Sequence, residues 1–353
     1  MVTFLFYLPF LLLFVLLAVY GERKISAFIQ SRYGPVEVGP YGLLQTLADL
    51  LKMLQKEDIV PGAADKWLFL TGPVLVFVAV FTGFSVLPLT DQVAGAGMEA
   101  GLFFLLAFVS LDVVGILMSG WGSNNKFSMY GTMRSIAQVV SYEIPLGLSV
   151  LCVVMTAQSM DLQEISRQQG VFSANPNFLF GIRSWGIDLT DVGGFLTWNV
   201  VRNPFLIPVF VVFFIAGLAE ANRAPFDLPE SESEIVGGYH TEYSGFRWGI
   251  FMLSEYGMML LVSLLGALLF FGGWNSPLPN IGYIRLADWT SGTFWGVGWL
   301  LGKALMLIFI QMWVRWTYPR LRVDQLMGLS WKFLTPVSLV LVFICAIWRL
   351  WMI

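Results

Sequence analysis

Charge is what this 353-residue chain has least of: Asp, Glu, Lys and Arg together make up 12% of it, and the net charge is −3. So small an imbalance gives no basis for a nucleic-acid partner or an acidic ligand. One histidine, His240, and two cysteines, Cys152 and Cys345, leave no C-x-x-C pair and no Cys/His cluster. The sequence therefore carries no recognisable zinc or Fe–S site. It also lacks a glycine-rich fingerprint after a strand and a P-loop, so no flavin or nucleotide site is recognisable. Both cysteines lie inside apolar runs without paired spacing, which argues against a disulfide framework. No internal repeat at a solenoid period is found.

What is present is apolar. Hydrophobic residues make up 57% and aromatics 16%, and the mean hydropathy is +0.74. Such a composition belongs to an integral membrane protein. Segments long enough to cross about 30 Å of hydrocarbon run near 2–20, 67–89, 101–120, 137–156, 204–221, 248–272, 294–316 and 331–348. The expected fold is all-α, a single transmembrane domain over 1–353 with about eight spans. Pro73, Pro145, Pro208 and Pro336 fall near span ends, where proline is best tolerated. Trp67, Trp121, Trp248, Trp274, Trp295, Trp316, Trp331 and Trp348 mark the edges as an interfacial aromatic belt does. Met1–Tyr20 has no basic residue before its apolar run, so it reads as a retained helix and not as a signal peptide.

Lys and Arg set the expected orientation. With residue 1 outside, the inner connections 21–66, 121–136, 222–247 and 317–330, with their flanks, hold fourteen of the 20 basic residues. That asymmetry places both termini on the outer side. In the first inner connection, Leu43, Leu47, Leu50, Leu51 and Leu54 share one helical face opposite Gln45, Asp49, Lys52 and Lys56. This amphipathic helix is too short to span; it lies along the inner interface or packs on its own protein.

Against this background the acids stand out. Five carboxylates, Glu220, Asp227, Glu230, Glu232 and Glu234, fall within fifteen positions between two apolar runs. The alternation of the last three and the prolines Pro225 and Pro229 predict a kinked, partly extended acidic loop. At a 1.5 Å rise, Asp112, Glu143 and Glu255 lie about 10–13 Å below the inner face, with Glu220 ending a span on the same side. A lone carboxylate at such depth costs about 2.5–3.5 kcal/mol, so it must pair, take up a proton or line water. The group therefore reads as a proton path. Arg134, Arg223, Asp227, Arg320 and Arg322 are candidates for ion pairs that fix the inner loops. Lys303 lies within a span, as a relay member or as an ion-pair partner. His240 reads as a hydrogen-bonded loop residue.

Four inner-side stretches resemble one family. The first is Glu22-Arg23-Lys24 with Gln30, Arg32-Tyr33-Gly34-Pro35, Gln45, Asp49, Lys52 and Glu57. The second is Gly120-Trp121-Gly122 through Lys126, with Arg134, Gln138 and Ser141-Tyr142-Glu143. The third is the acidic stretch from Glu220, extended by Gly238-Tyr239-His240 and Glu255-Tyr256. The fourth is Arg315-Trp316, Pro319-Arg320, Arg322, Asp324-Gln325 and Trp331-Lys332. Together they resemble the H-subunit (mitochondrial subunit 1) family of respiratory complex I, the proton-pumping NADH:quinone oxidoreductase; Thr46 departs from the proline usual there.

The resemblance implies a membrane-arm subunit beside the hydrophilic arm, a part of an enzyme with no complete active site of its own. It implies Glu143, Glu220, Glu230, Glu232, Glu234 and Glu255 as an acidic channel, to which depth adds Asp112. It implies Gln30, Arg32, Gln45, Asp49 and Lys52 as quinone-chamber wall. Quinone is then a substrate, and NADH, flavin and Fe–S clusters belong to partner subunits. The expected partners are the other membrane-arm subunits, the Fe–S and quinone-chamber subunits of the hydrophilic arm, and lipid; the expected location is a bacterial inner membrane. Two alternatives stay open: the equivalent subunit of a membrane-bound hydrogenase or ferredoxin-linked dehydrogenase, and a stand-alone proton-coupled transporter.

Overall fold

The structure is a computed structural model that describes residues 2–93, 95–171, 173, 176–182, 188–228, 232–280 and 285–352. The described part is helical, with no β-strand beyond a single bridge between Phe178 and Asp188. Helix α1 is Val2–Ile29, α2 is Gln45–Gln55 and α3 is Lys66–Phe84. They are followed by α4 (Gly101–Val109), α5 (Leu111–Gly122), α6 (Lys126–Ala157) and the short α7 (Leu162–Arg167). Next come α8 (Asn199–Arg202), α9 (Leu206–Glu220), α10 (Glu232–Ile235) and α11 (Gly245–Phe270). The last are α12 (Leu286–Trp289), α13 (Thr293–Thr317), α14 (Val323–Gly328) and α15 (Thr335–Met352), with a π-helical turn at Leu329–Leu334 joining α14 to α15.

Among the described residues, six helices are long and apolar enough to cross a membrane: α3, the stretch Gly101–Gly122, α6, α11, α13 and the stretch Val323–Leu350. Of the other two expected spans, α1 has 28 residues, about 42 Å of helix. The remaining one, α9, has 15 residues, about 22 Å, because Pro204 and Phe205 form a turn ahead of it.

Sequence sets the ends of these helices. Asp65 accepts from the backbone N–H groups of Trp67 and Leu68 and starts α3. Asn125 accepts from Phe127 N–H and starts α6, which stops at Gln158 in the left-handed region. These short polar side chains satisfy N–H groups that have no partner within the helix. Helix α11 is apolar all round, and such a helix is stable only when surrounded. It forms the centre of the bundle, buried almost throughout from Phe251 to Phe270. Close packing of α3 on α5 depends on small residues: a Cβ at Gly72 would collide with Ser119 Oγ. Small residues let transmembrane helices approach closely enough for dispersion to hold them.

The leucine face expected of α2 is divided. Leu50 turns toward the bundle with Thr46 and Met53 to line a cavity. Leu43, Leu47, Leu51 and Leu54 stay exposed, as an interfacial helix with one side in lipid requires.

Candidate functional site

The expected carboxylates converge. Asp112 in the first turn of α5, Glu220 at the last position of α9 and Glu255 in the first half of α11 line one cavity of about 10 Å³, room for about one water. The charge of Glu255 acts on Asp112, and those of Glu143 and Asp112 act on Glu220. Asp112 Oδ1 and Glu220 Oε2 are buried and accept no hydrogen bond among the described residues. Neither of these two acids forms an ion pair among the described residues. Glu143 stands half-buried on α6.

Local structure turns each group inward. The chain leaves α9 through Asn222 in a left-handed conformation (φ 49°). Gln138 of α6 holds this turn by donating to Ala219 O at 2.7 Å and to Asn222 Oδ1 at 3.2 Å. At the other end of the row, Glu255 accepts from Tyr239 OH at 3.1 Å and lies 3.4 Å from His240 Nε2. Tyr239 and His240 come from the 3-10 turn Gly238–His240, whose backbone rests against Gly131 of α6.

A larger cavity of about 630 Å³ lies between α1, α2, α11 and α13. Aliphatic and aromatic side chains such as Leu16, Val19, Met53 and Trp248 line most of it, and its charged lining includes Glu22, Arg32, Asp49 and Arg315. That combination, apolar walls with a few convergent polar groups, suits an apolar ligand with a polar head. Glu22 takes a hydrogen bond from Tyr256 OH at 2.6 Å, pairs with Arg223 at 3.3 Å and pairs with Arg315. Arg223 lies 4.1 Å over the Tyr256 ring, and the charges of Arg223, Asp227 and Arg315 also reach Glu255. The polar end of the large cavity is thus joined to the buried carboxylates through shared residues.

Sequence reasoning does not single out Glu22, Tyr256 or Arg315 as site residues, although each lies in a quoted motif. Glu22 directly follows the first apolar run, and nothing in the sequence marks it as buried. Only the return of α11 and α13 to its side makes it a buried hub. His240 is likewise closer to the site than its loop position suggests.

Other expected residues fall elsewhere. Glu234 is exposed; it pairs with Arg134 at 2.5 Å and with Arg320 at 4.0 Å, tying the acidic loop to α6 and to the segment after α13. The hydrogen bond from Arg134 holds its carboxyl below the usual carboxylate range. Glu230 lies outside the described residues, as does the side chain of Glu232. Arg322 forms no ion pair among the described residues; its backbone N–H donates to Gln325 Oε1. Lys303 is remote from the acids. Its ammonium donates to Gly273 O at 2.9 Å and Asn275 O at 2.7 Å and lies 4.8 Å from the centre of the Trp198 ring, beyond the far end of α11. It locks a loop in place.

Of the expected chamber residues, Arg32 and Asp49 line the large cavity. Gln30 and Gln45 stand behind them: Gln30 accepts from Arg32 Nε at 2.6 Å, and Gln45 donates to Asp49 at 3.2 Å. Arg23 holds Asp49 from α1 at 2.6 Å. Lys52 points away from the cavity and is exposed. No group of three or more His, Cys, Asp or Glu side chains that could hold a metal occurs among the described residues.

Comparison with known proteins matches residues 2–346 to the family model described as NADH dehydrogenase. The chain belongs to the NADH dehydrogenase family. Its relatives are H subunits of NADH-quinone oxidoreductases. The second such subunit of Cytophaga hutchinsonii is 56% identical over the full length of both chains. The one from Chlorobaculum parvum is 52% identical over 94% of this chain and 86% of its own length. The one from Brevibacillus brevis is 44% identical over 95% and 88%.

Proposed function

We propose that this chain is the membrane subunit of an NADH-quinone oxidoreductase that walls the quinone chamber and couples quinone reduction to proton translocation. The observation that carries this reading is the pair of arginines that act on acids of both cavities. Glu22, Tyr256 and Arg315 line the large one, while Arg223 and Arg315 act on both Glu22 and Glu255. The apolar walls accept a prenyl tail, and the charged end accepts the head group. In this reading α1 and α9 are spans as well, giving eight, with both termini on the outer side of a bacterial inner membrane.

When assembled, partner subunits of the hydrophilic arm supply electrons from NADH through flavin and Fe–S clusters. Negative charge arriving at the head group changes the balance at Glu22, Arg315 and Arg223, and Glu255 feels that change directly. Proton occupancy then shifts along Asp112, Glu220 and Glu143. Their titrations belong to the coupled group and not to single side chains. Glu143 hands the perturbation to a neighbouring membrane subunit. Glu230, Glu232 and Glu234 belong to the mouth of this path, and Lys303 is left out of it. The names of the relatives favour this assignment over the hydrogenase-type and transporter alternatives.

The test is Glu220→Gln and Glu143→Gln in the assembled complex. Quinone-linked turnover and proton pumping should fall by about tenfold or more, as loss of a proton-transfer group does. NADH oxidation by a water-soluble acceptor should be unchanged. Full pumping by both variants would end the proposal.

A further inference from the structure

Arg349, in the last turn of α15, keeps its Nε buried without a hydrogen-bond partner among the described residues. The helix dipole or snorkelling to water commonly explains an arginine at such a place. Both leave the guanidinium solvated, whereas an unpaired buried donor is destabilising. Arg349 lines a pocket of about 10 Å³ with Thr156, Asn199, Arg202, Asn203 and Leu206. Helices α6, α8, α9 and α15 thus bring two guanidinium groups to one small polar space, and no acidic side chain is among these lining residues. The other polar groups are engaged within the protein. Asn199 Nδ2 donates to Leu269 O at 2.8 Å, Thr156 Oγ1 donates to Val153 O at 2.8 Å, and Asn203 Oδ1 accepts from Phe205 N–H at 3.1 Å. The arginines are what the pocket offers a ligand.

Its place in the bundle narrows the choice of ligand. Thr156 and Arg349 lie next to the last residues of two membrane-crossing stretches, Lys126–Ala157 and Val323–Leu350. Leu206 begins α9 and Glu220 ends it, so the pocket is roughly 21 Å along that helix from the buried acids. Beside it Trp348 packs edge-on against Phe205, with ring centres 5.2 Å apart, as befits a tryptophan at a membrane edge. Ile207 and Val211, one turn apart on α9, and Ile347 on α15 are exposed apolar residues.

We propose that this pocket seats the phosphate diester of a membrane phospholipid. A space for about one water admits a single non-bridging phosphate oxygen, while the rest of the head group stays at the interface. Guanidinium donors match phosphate oxygens in geometry and carry the opposite charge. A water molecule in the same space answers the hydrogen bond of Nε and brings no charge. The acyl chains run along the apolar residues exposed on α9 and α15. The site is independent of the quinone and proton roles, since it shares no lining residue with either cavity described above.

The test uses the assembled complex, purified in detergent and depleted of lipid, with a phosphatidylglycerol that carries a photoreactive diazirine near the top of one acyl chain. On irradiation, peptides covering residues 199–211 and 340–350 should be labelled. Excess unlabelled phosphatidylglycerol should abolish that labelling. Diacylglycerol with the same chains, or inorganic phosphate at the same concentration, should leave it intact. In Arg349→Gln the labelling should fall by about tenfold or more, as loss of a charged hydrogen-bond partner does. Arg349→Lys, which keeps the charge, should retain more of it. Competition by diacylglycerol would mean an acyl groove alone, and competition by inorganic phosphate a site for the free anion. Either of these, absence of labelling, or full labelling of Arg349→Gln would overturn the proposal. The competition arms need only the unaltered complex, so they decide the matter if a variant fails to assemble.

Discussion

At the scale of single residues, Glu22 matters most and is hardest to recognise. Its carboxylate is shared by Arg223, Arg315 and Tyr256, and removing one member of a buried charge network costs far more than the network contributes. Glu22→Ala should lower stability by about 3–5 kcal/mol, read as an earlier thermal transition of the purified complex. A loss no larger than that of an exposed pair such as Glu234 with Arg134 would mean that Glu22 is solvated. Asp112, by contrast, is legible: an acid expected about 13 Å below the inner face has few reasons to be there. Depth alone lends Lys303 the same weight, because depth is visible in a sequence and direction is not. Two backbone carbonyls satisfy it.

Elements carry the next level of information. Helix α6 has 32 residues, so about 48 Å, and its first turns extend past the expected span. Against them rests the 3-10 turn that presents Tyr239 and His240 to Glu255. The approach is possible because residue 131 is glycine: a Cβ there would come within 2.5 Å of Gly238 Cα. Gly131→Ala must push the turn away, at a cost of about 1–3 kcal/mol. The expected outcome is a lower thermal transition together with reduced quinone-linked turnover. Unchanged turnover with a lower transition would leave the turn a purely structural support. Midway along α6, the π-helical turn Leu329–Leu334 holds α15 to it, with Ser330 Oγ donating to Ser141 O at 2.6 Å. That contact, two residues from Glu143, is not readable from the pattern of apolar residues, which gives only an inner connection over 317–330 and a span over 331–348.

At the scale of the whole molecule, the two neighbouring cavities of the site lie within one helical bundle, and neither belongs to a single helix. The larger has walls from four helices far apart in sequence, so its ligand is held by packing and not by a motif. Filling it from α2, the one amphipathic wall, tests this without touching a charge. Leu50→Trp should raise the KM for a long-chain quinone by about tenfold, equivalent to 1.4 kcal/mol, and leave NADH oxidation by a water-soluble acceptor unchanged. An unaltered KM would place the quinone outside this cavity.

Composition and apolar period alone determined that the chain is a helical membrane bundle, where its helices run, and how deep its acids lie. Depth and length follow from rise per residue and from the aversion of hydrocarbon for charge, and both are local properties. Only the tertiary structure decided which way each helix faces: that Asp112, Glu220 and Glu255 meet, that Glu22 lies between them and the large cavity, and that Lys303 does not join them. Rotation about a helix axis is set by packing against neighbours, and an apolar helix carries almost no record of it in its own sequence.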